Sequence, residues 1–390
     1  MSFDDIIDRR NTHSAKWDGM QNLYGVSPDD GISMWVADMD FRVPRVALDA
    51  MQAAVDHGVF GYFTDERDYR GAICWWMENR HGWAVQPEWI FTTFGLVNGT
   101  AVCLETFTAP GDGVVLFTPV YHAFARVIHS AGRTVTECEM PRDAAGQYRL
   151  DIAAWDSQMT GRETMAILCS PHNPGGRVWT KAELEQIADF ARRHDLILVS
   201  DEIHHDLVYA PHCHIPIATL DGIADRLVTM TSPSKTFNLA GLHVGNVIIS
   251  DPDLRTRFAA RMAGLGLSAN SIGLLAATAV YSPAGASWVD DLITYLDGNR
   301  LVFEAGVNDI PGLCAAPLAA TYLSWVDFSG TGMDTAEITR RVTKDARIAA
   351  NYGATFGKGG EGFLRFNLAT PRARVVDAVT RLQAAFGDLQ

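Results

Sequence analysis

The chain of 390 residues has no uninterrupted apolar run of the roughly 18 residues that a membrane-crossing helix needs. The nearest stretch, Ala263 to Val280, is rich in small residues and broken by Ser268, Asn270 and Ser271. Positive charge is scarce. Lys and Arg number 32 against 46 Asp and Glu, a formal net charge of −14, and a surface of that balance repels phosphate backbones and anionic lipids, so neither nucleic acid nor a membrane is an expected partner. No CxxC pair occurs; Cys74, Cys103, Cys138, Cys169, Cys213 and Cys314 are scattered, some within apolar runs such as Ile167-Leu168-Cys169. Buried free thiols in a reducing compartment are expected. The acidic N-terminus lacks the basic-then-apolar pattern of a secretory signal, which makes a cytoplasmic protein the expectation. There is no repeat, low-complexity tract or Pro/Ser-rich linker, so any domains are knitted together by the chain. With 47% hydrophobic and 20% charged residues, the chain can bury large cores, which excludes disordered, collagen-like and small disulfide-stapled classes.

Short unbroken apolar runs punctuate the centre of the sequence: Gly113 to Phe117, Met165 to Cys169, Leu196 to Val199, Leu227 to Met230 and Val244 to Ile249. Runs without alternation suit strands covered on both faces, which predicts a parallel sheet with helices above and below. Between two of them, Thr180-Lys181-Ala182-Glu183 reads as a capping box. Leu184, Ile187, Ala188 and Ala191 then fall on one helical face. Trp288, Leu292, Tyr295, Leu296 and Phe303 predict a long amphipathic helix, and Thr321 to Val326 and Phe363 to Leu368 read as strands. The expected architecture is α/β, with a large doubly wound domain over residues 45–285 and a smaller α+β domain from 286–390 that recruits 1–44.

In an open parallel sheet, ligands bind beyond the carboxyl ends of the strands. The residues there are Tyr121 after the first run, Asn173 in Ser170-Pro171-His172-Asn173-Pro174-Gly175-Gly176, Asp201 in Ser200-Asp201-Glu202-Ile203-His204, and Lys235 in Ser232-Pro233-Ser234-Lys235. Gaps of 28 and 34 residues from Asn173 to Asp201 to Lys235 are each the size of one crossover unit. A desolvated lysine attacks carbonyls to form a Schiff base. A buried aspartate needs a cationic partner, such as a pyridinium nitrogen. An aromatic to stack, an amide to donate to a phenolate and hydroxyls for a phosphate complete a pocket suited to pyridoxal 5′-phosphate. A second anion device is a helix beginning near Leu96 in Phe94-Gly95-Leu96-Val97, whose free N–H groups need no charged side chain.

Asn173-Pro174-Gly175-Gly176-Arg177, Asp201-Glu202-Ile203-His204, Ser232 to Asn238 and Gly362 to Asn367 resemble the signatures of the aspartate-aminotransferase superfamily, the fold type I pyridoxal-phosphate enzymes (class I/II), along essentially the whole chain. The resemblance implies that Lys235 carries the cofactor as a Schiff base, Asp201 pairs with its ring nitrogen and Asn173 with its ring oxygen. It also implies that Tyr121 stacks on the ring and that Arg365 clamps the substrate carboxylate. Phosphate contacts fall to Leu96, Val97, Ser232 and Ser234, with Tyr62 reaching in from the second subunit of a homodimer. The family's phosphate-binding arginine, eight residues after the lysine, is here His243, and His204 stands where a tyrosine is usual. Val36-Ala37-Asp38-Met39-Asp40-Phe41 replaces a glycine-rich segment. These departures resemble the MalY/PatB-type cystathionine β-lyase (C-S lyase) subgroup, which implies α,β-elimination from a sulfur amino acid to pyruvate, ammonia and a thiol. An aminotransferase shares the first half of that chemistry and is the alternative. A non-catalytic regulatory protein would require a decayed site, against which Asn173, Asp201, Lys235 and Arg365 stand intact. A zinc site would draw on His204, His205, His212, Cys213 and His214, but their spacing fits no common zinc pattern. No metal is expected, and His205, His212 and His214 read as solvated loop residues.

Overall fold

The computed structural model describes residues 2–63 and 65–389. Its largest sheet has seven strands: β1 (Ile90–Thr93), β2 (Gly113–Thr118), β3 (Thr134–Glu139), β4 (Glu163–Cys169), β5 (Ile197–Asp201), β6 (Leu227–Thr231) and β7 (Gly245–Ile248). They lie in the order β1-β7-β6-β5-β4-β2-β3. Alternate side chains enter separate cores, as the two-residue period of a strand requires. Val115, Phe117, Ala166, Leu168 and Leu198 pack on one face, and Val114, Leu116, Met165, Ile167 and Val199 on the other. Two covered faces explain why these strands read as unbroken apolar runs.

The neighbouring strands from β3 to β6 are parallel, but β7 runs antiparallel to both β6 and β1. The reading of Val244 to Ile249 as one more parallel strand is therefore corrected. The segment joining β6 to β7 is spent on a one-turn helix, Pro233–Thr236, and a 3-10 turn, Ala240–Leu242, and carries no helix long enough to cross back over the sheet. The chain returns beside β6 at once, which leaves Lys235 in a tight loop at the carboxyl end of that strand.

Seven helices matter here: α1 (Arg45–His57), α2 (Arg67–His81), α3 (Leu96–Phe107), α4 (Lys181–Arg193), α5 (Ser271–Val280), α6 (Pro283–Asn308) and α7 (Arg372–Ala385). The capping box of α4 is formed in both directions: Thr180 Oγ1 accepts from Glu183 N, and the Glu183 carboxylate accepts from Thr180 N at 2.9 Å. Leu184, Ile187, Ala188 and Ala191 are all buried against the sheet. At the start of α3, Gly95 holds φ 78° and ψ 172°, a backbone region open to glycine alone.

A second sheet of four short antiparallel strands runs β10-β11-β9-β8, made of β8 (Cys314–Ala315), β9 (Leu323–Asp327), β10 (Asn351–Tyr352) and β11 (Phe363–Asn367). It packs with α6 and α7 around Leu292, Leu296, Phe303, Leu323, Phe366 and Leu382. The N-terminal segment joins this core through Met34, Met39 and Phe41, and Ile32-Ser33 pairs in parallel with Ile348-Ala349. No single helix among the described residues is long and apolar enough to cross a membrane.

Candidate active site

A cavity of about 310 Å³ opens at the carboxyl ends of β4, β5 and β6. The sheet side supplies Asn173, Asp201, Ser234 and Lys235, with Tyr121 and the first residues of α3, Leu96 and Val97. The opposite side is Trp35, Val36 and Ala37 from the N-terminal segment and Asn351 and Arg365 from the second sheet. Lys235 and Arg365 are the only cations lining it among the described residues.

Asp201 ends β5 with its carboxylate buried, accepting one hydrogen bond, from Ile203 N at 3.1 Å. Burial pushes its pKa up to about 7, Glu202 pushes the same way, and Lys235 and the Ile203 N–H oppose. Lys235 Nζ donates to the Ala37 carbonyl at 2.6 Å, and the Tyr322 hydroxyl donates to the same oxygen at 3.0 Å. Burial lowers the lysine to about 8, with Arg365 adding to the shift and Asp38 and Asp201 opposing it. A substantial fraction of this amine is thus neutral near pH 8, as a nucleophile or base requires.

Arg365 sits on β11, buried, its Nη1 donating to Asn173 Oδ1 at 2.9 Å and its Nη2 to Asn351 Oδ1 at 2.5 Å and the Trp35 carbonyl at 3.1 Å. Its Nε has no partner, and among the described residues it makes no ion pair. Burial brings its pKa down to about 10, so the guanidinium stays charged. A buried cation without an anion is costly and is satisfied by a carboxylate entering the cavity. Asn173 spends its oxygen on Arg365 and keeps its amide N–H donors for the cavity.

His204 lines the cavity with Nδ1 unpartnered; burial, with Lys235 and Arg365 beside it, drives its pKa well below the ordinary range and keeps the ring neutral. No side chain caps α3, so the N–H groups of Leu96 and Val97 stay open to an anion.

Two expected residues are elsewhere. Ser232 does not line the cavity, because its hydroxyl lies 2.6 Å from the Val244 carbonyl and caps the Pro233–Thr236 turn by accepting from Ser234 N. Tyr62 is fully exposed between α1 and α2 and does not reach the cavity of its own chain. His243 is exposed at a turn, so it does not take over the missing arginine's place. Sequence reasoning missed Asn351, Tyr322 and His122, and Trp35, an aromatic that could serve recognition or a core, lines the cavity. Only His122 carried a signal, as the neighbour of Tyr121; burial lowers it to about 4.

The histidine group after Asp201 divides. His212 and Cys213 are exposed, but His205 and the ring of His214 are buried, which corrects their reading as solvated residues. The segment is pinned inward by Tyr209 N to Ala319 O and Thr321 N to Leu207 O, and the carboxylates of Glu202 and Asp206 are buried with it.

The family model described as aminotransferase class I and II matches residues 30–382. The chain belongs to this family. Among relatives it is similar to cystathionine beta-lyase PatB of Bacillus subtilis, 39% identical over 99% of this chain and 100% of the relative. Protein MalY of Escherichia coli is 30% identical over 97% of each. Cystalysin from Treponema denticola, solved with pyridoxal 5′-phosphate, superposes with a TM-score of 0.94 at 36% identity, covering 100% of this chain and 99% of that one.

As a member of the family the protein uses pyridoxal 5′-phosphate, and the residues in the cavity fit that group. Asp201 is a buried carboxylate that lacks a cationic N–H partner, which a protonated pyridine nitrogen provides. The open start of α3 and the Ser234 hydroxyl suit a phosphate, and Lys235 has an amine for the aldehyde.

Proposed function

We propose that the protein is a pyridoxal-phosphate-dependent carbon–sulfur β-lyase that cleaves an L-amino acid with a sulfur substituent at Cβ into pyruvate, ammonia and a thiol. The observation that carries this reading is a buried, unpaired Arg365 across one cavity from an amine with a lowered pKa and an orphaned Asp201. When bound, the cofactor supplies an electron sink for negative charge at Cα. Arg365 takes the substrate carboxylate, its two nitrogens fixed by Asn173, Asn351 and the Trp35 carbonyl. Asp201 keeps the ring nitrogen protonated, Asn173 donates to the ring oxygen, and Tyr121 and His204 bound the ring. Lys235 holds the cofactor between turnovers and, once released from it, accepts the Cα proton at Nζ. Loss of that proton expels the thiolate from Cβ, and the released enamine hydrolyses to pyruvate and ammonia.

Leu96, Val97 and Ser234 hold the phosphate, joined by Tyr62 of a second subunit. Support for that last contact is an exposed apolar strip, Val55, Val59, Phe60 and Tyr62, which covers poorly in a single chain. A cytoplasmic homodimer, each chain divided into 45–285 and 1–44 with 286–390, completes the reading.

An aminotransferase would return the proton to the cofactor instead of losing a leaving group. Similarity along the whole chain to a protein named cystathionine beta-lyase favours the lyase. Incubation with L-cystathionine tests this: stoichiometric pyruvate and free thiol are expected. Amino transfer that depends on an added 2-oxo acid, with no pyruvate from cystathionine, would overturn it.

A further inference from the structure

On the far side of the lysine loop three histidines and two carboxylates are packed out of solvent. His81, the last residue of α2, stacks on His205 with ring centroids 4.4 Å apart, and His214 stands edge-on to His81 at 5.7 Å. Asp206 lies between the first two: its Oδ1 is 2.8 Å from His81 Nε2 and its Oδ2 3.0 Å from His205 Nε2, with the carboxylate wholly buried. Glu202 Oε2 is 2.9 Å from His214 Nε2. One ligand atom each from His81, His205 and Asp206 lies within 4.8 Å of the other two.

His205 makes this cluster informative. Its side chain has no exposure, yet neither ring nitrogen has a hydrogen-bond partner. Nε2 is close enough to Asp206 for a hydrogen bond but is not aimed for one. His81 Nε2 already meets Asp206 Oδ1 with hydrogen-bond geometry, so the uncommitted nitrogens of His205 beside that pair are what an entering metal ion would use. The surroundings match as well. Trp76 Nε1 donates to Asp206 Oδ1 at 3.0 Å and the Thr236 hydroxyl to Oδ2 at 2.7 Å, and a ligating carboxylate is oriented by such outer bonds.

We propose that His81, His205 and Asp206 form a three-ligand site for a divalent transition-metal ion, Zn²⁺ in the first instance, with a water in the fourth position and independent of the cofactor. Two imidazoles and one carboxylate suit zinc and disfavour magnesium or calcium, which prefer all-oxygen shells. The ion ties α2 to the segment that follows Asp201, and through Thr236 it abuts Lys235. The set differs from the one the sequence window offered: Cys213 and His212 are excluded, and His81 comes from more than a hundred residues away.

The test uses cofactor-loaded protein, treated with a chelator, returned to ZnCl₂, freed of loose metal by gel filtration and analysed by plasma mass spectrometry. One zinc per chain is expected. His205→Ala and His81→Ala should weaken Zn²⁺ binding by more than the roughly 10- to 100-fold that loss of an outer-shell partner costs, with the exposed His212→Ala unchanged. Retention of zinc by His205→Ala, its loss in His212→Ala, or no stoichiometric zinc in folded wild type would each overturn the proposal. X-ray absorption at the zinc edge of wild type serves if the variants do not fold: a shell of nitrogen and oxygen with imidazole scattering is expected, and any sulfur ligand counts against this site.

Discussion

The sheet side of the cavity presents Asn173, Asp201 and Lys235 from the ends of three neighbouring strands, each rooted in a core closed on both faces. The opposite side is assembled from an irregular N-terminal stretch, one residue of a two-residue strand and one residue of β11, joined by main-chain carbonyls and amide side chains. Rigid strand ends fix the groups proposed to hold the cofactor, while the wall proposed to face the substrate hangs on a few hydrogen bonds around Arg365. Geometry that must not vary is placed on the sheet, and recognition is placed where neighbouring backbone can be exchanged.

The strongest way to break this division is Lys235→Ala, which should abolish turnover and the visible absorbance of bound cofactor. An unchanged spectrum would show that the lysine is not the attachment point. Arg365→Gln strikes the other wall. Loss of its charged hydrogen bonds, about 1.5–3 kcal/mol, should cut kcat/KM roughly 10- to 150-fold through KM while the cofactor absorbance persists. If the absorbance disappears too, the walls are not separable.

A finer probe is Asp201→Asn with the cofactor removed. The folded-state pKa of Asp201, about 7, lies above its ordinary value of 3.8, so the folded chain holds a proton that the unfolded chain releases. Stability from this group is complete below the ordinary value and is lost as pH rises toward 7. Apo Asp201→Asn should therefore melt above apo wild type at pH 8, with the gap closing toward pH 4; a gap that does not change with pH would refute the burial argument. The smallest effect is assigned behind the sheet: Thr180→Ala should cost about 1 kcal/mol of stability by denaturant titration and leave kcat/KM unchanged.

The same division explains what could be read before the fold was known. Asn173, Asp201 and Lys235 were legible because each follows an unbroken apolar run, and a parallel sheet delivers the residues after such runs to one edge. Arg365 was reached through resemblance, not spacing. Asn351 and Tyr322 carry no local pattern, and Trp35 contributes its backbone oxygen, which any residue type has. Ser232 looked like a phosphate ligand because a hydroxyl beside the lysine can serve either a ligand or its own turn, and here the turn takes it. The reversed β7 escaped notice because an apolar run reports burial and not direction. His205 and His214 were misread because a histidine's burial depends on which carboxylates fold beside it.

The acceptor that meets the Lys235 amine is the main-chain oxygen of Ala37, held from the other side by Tyr322. Point mutation cannot delete a peptide carbonyl. A change of side chain at position 37 would leave that oxygen in place, whereas losing Tyr322 would remove the side-chain donor that shares it with the lysine. Selection on this contact would therefore be recorded in the tyrosine, a partner nearly three hundred residues away, and not at the position that makes it.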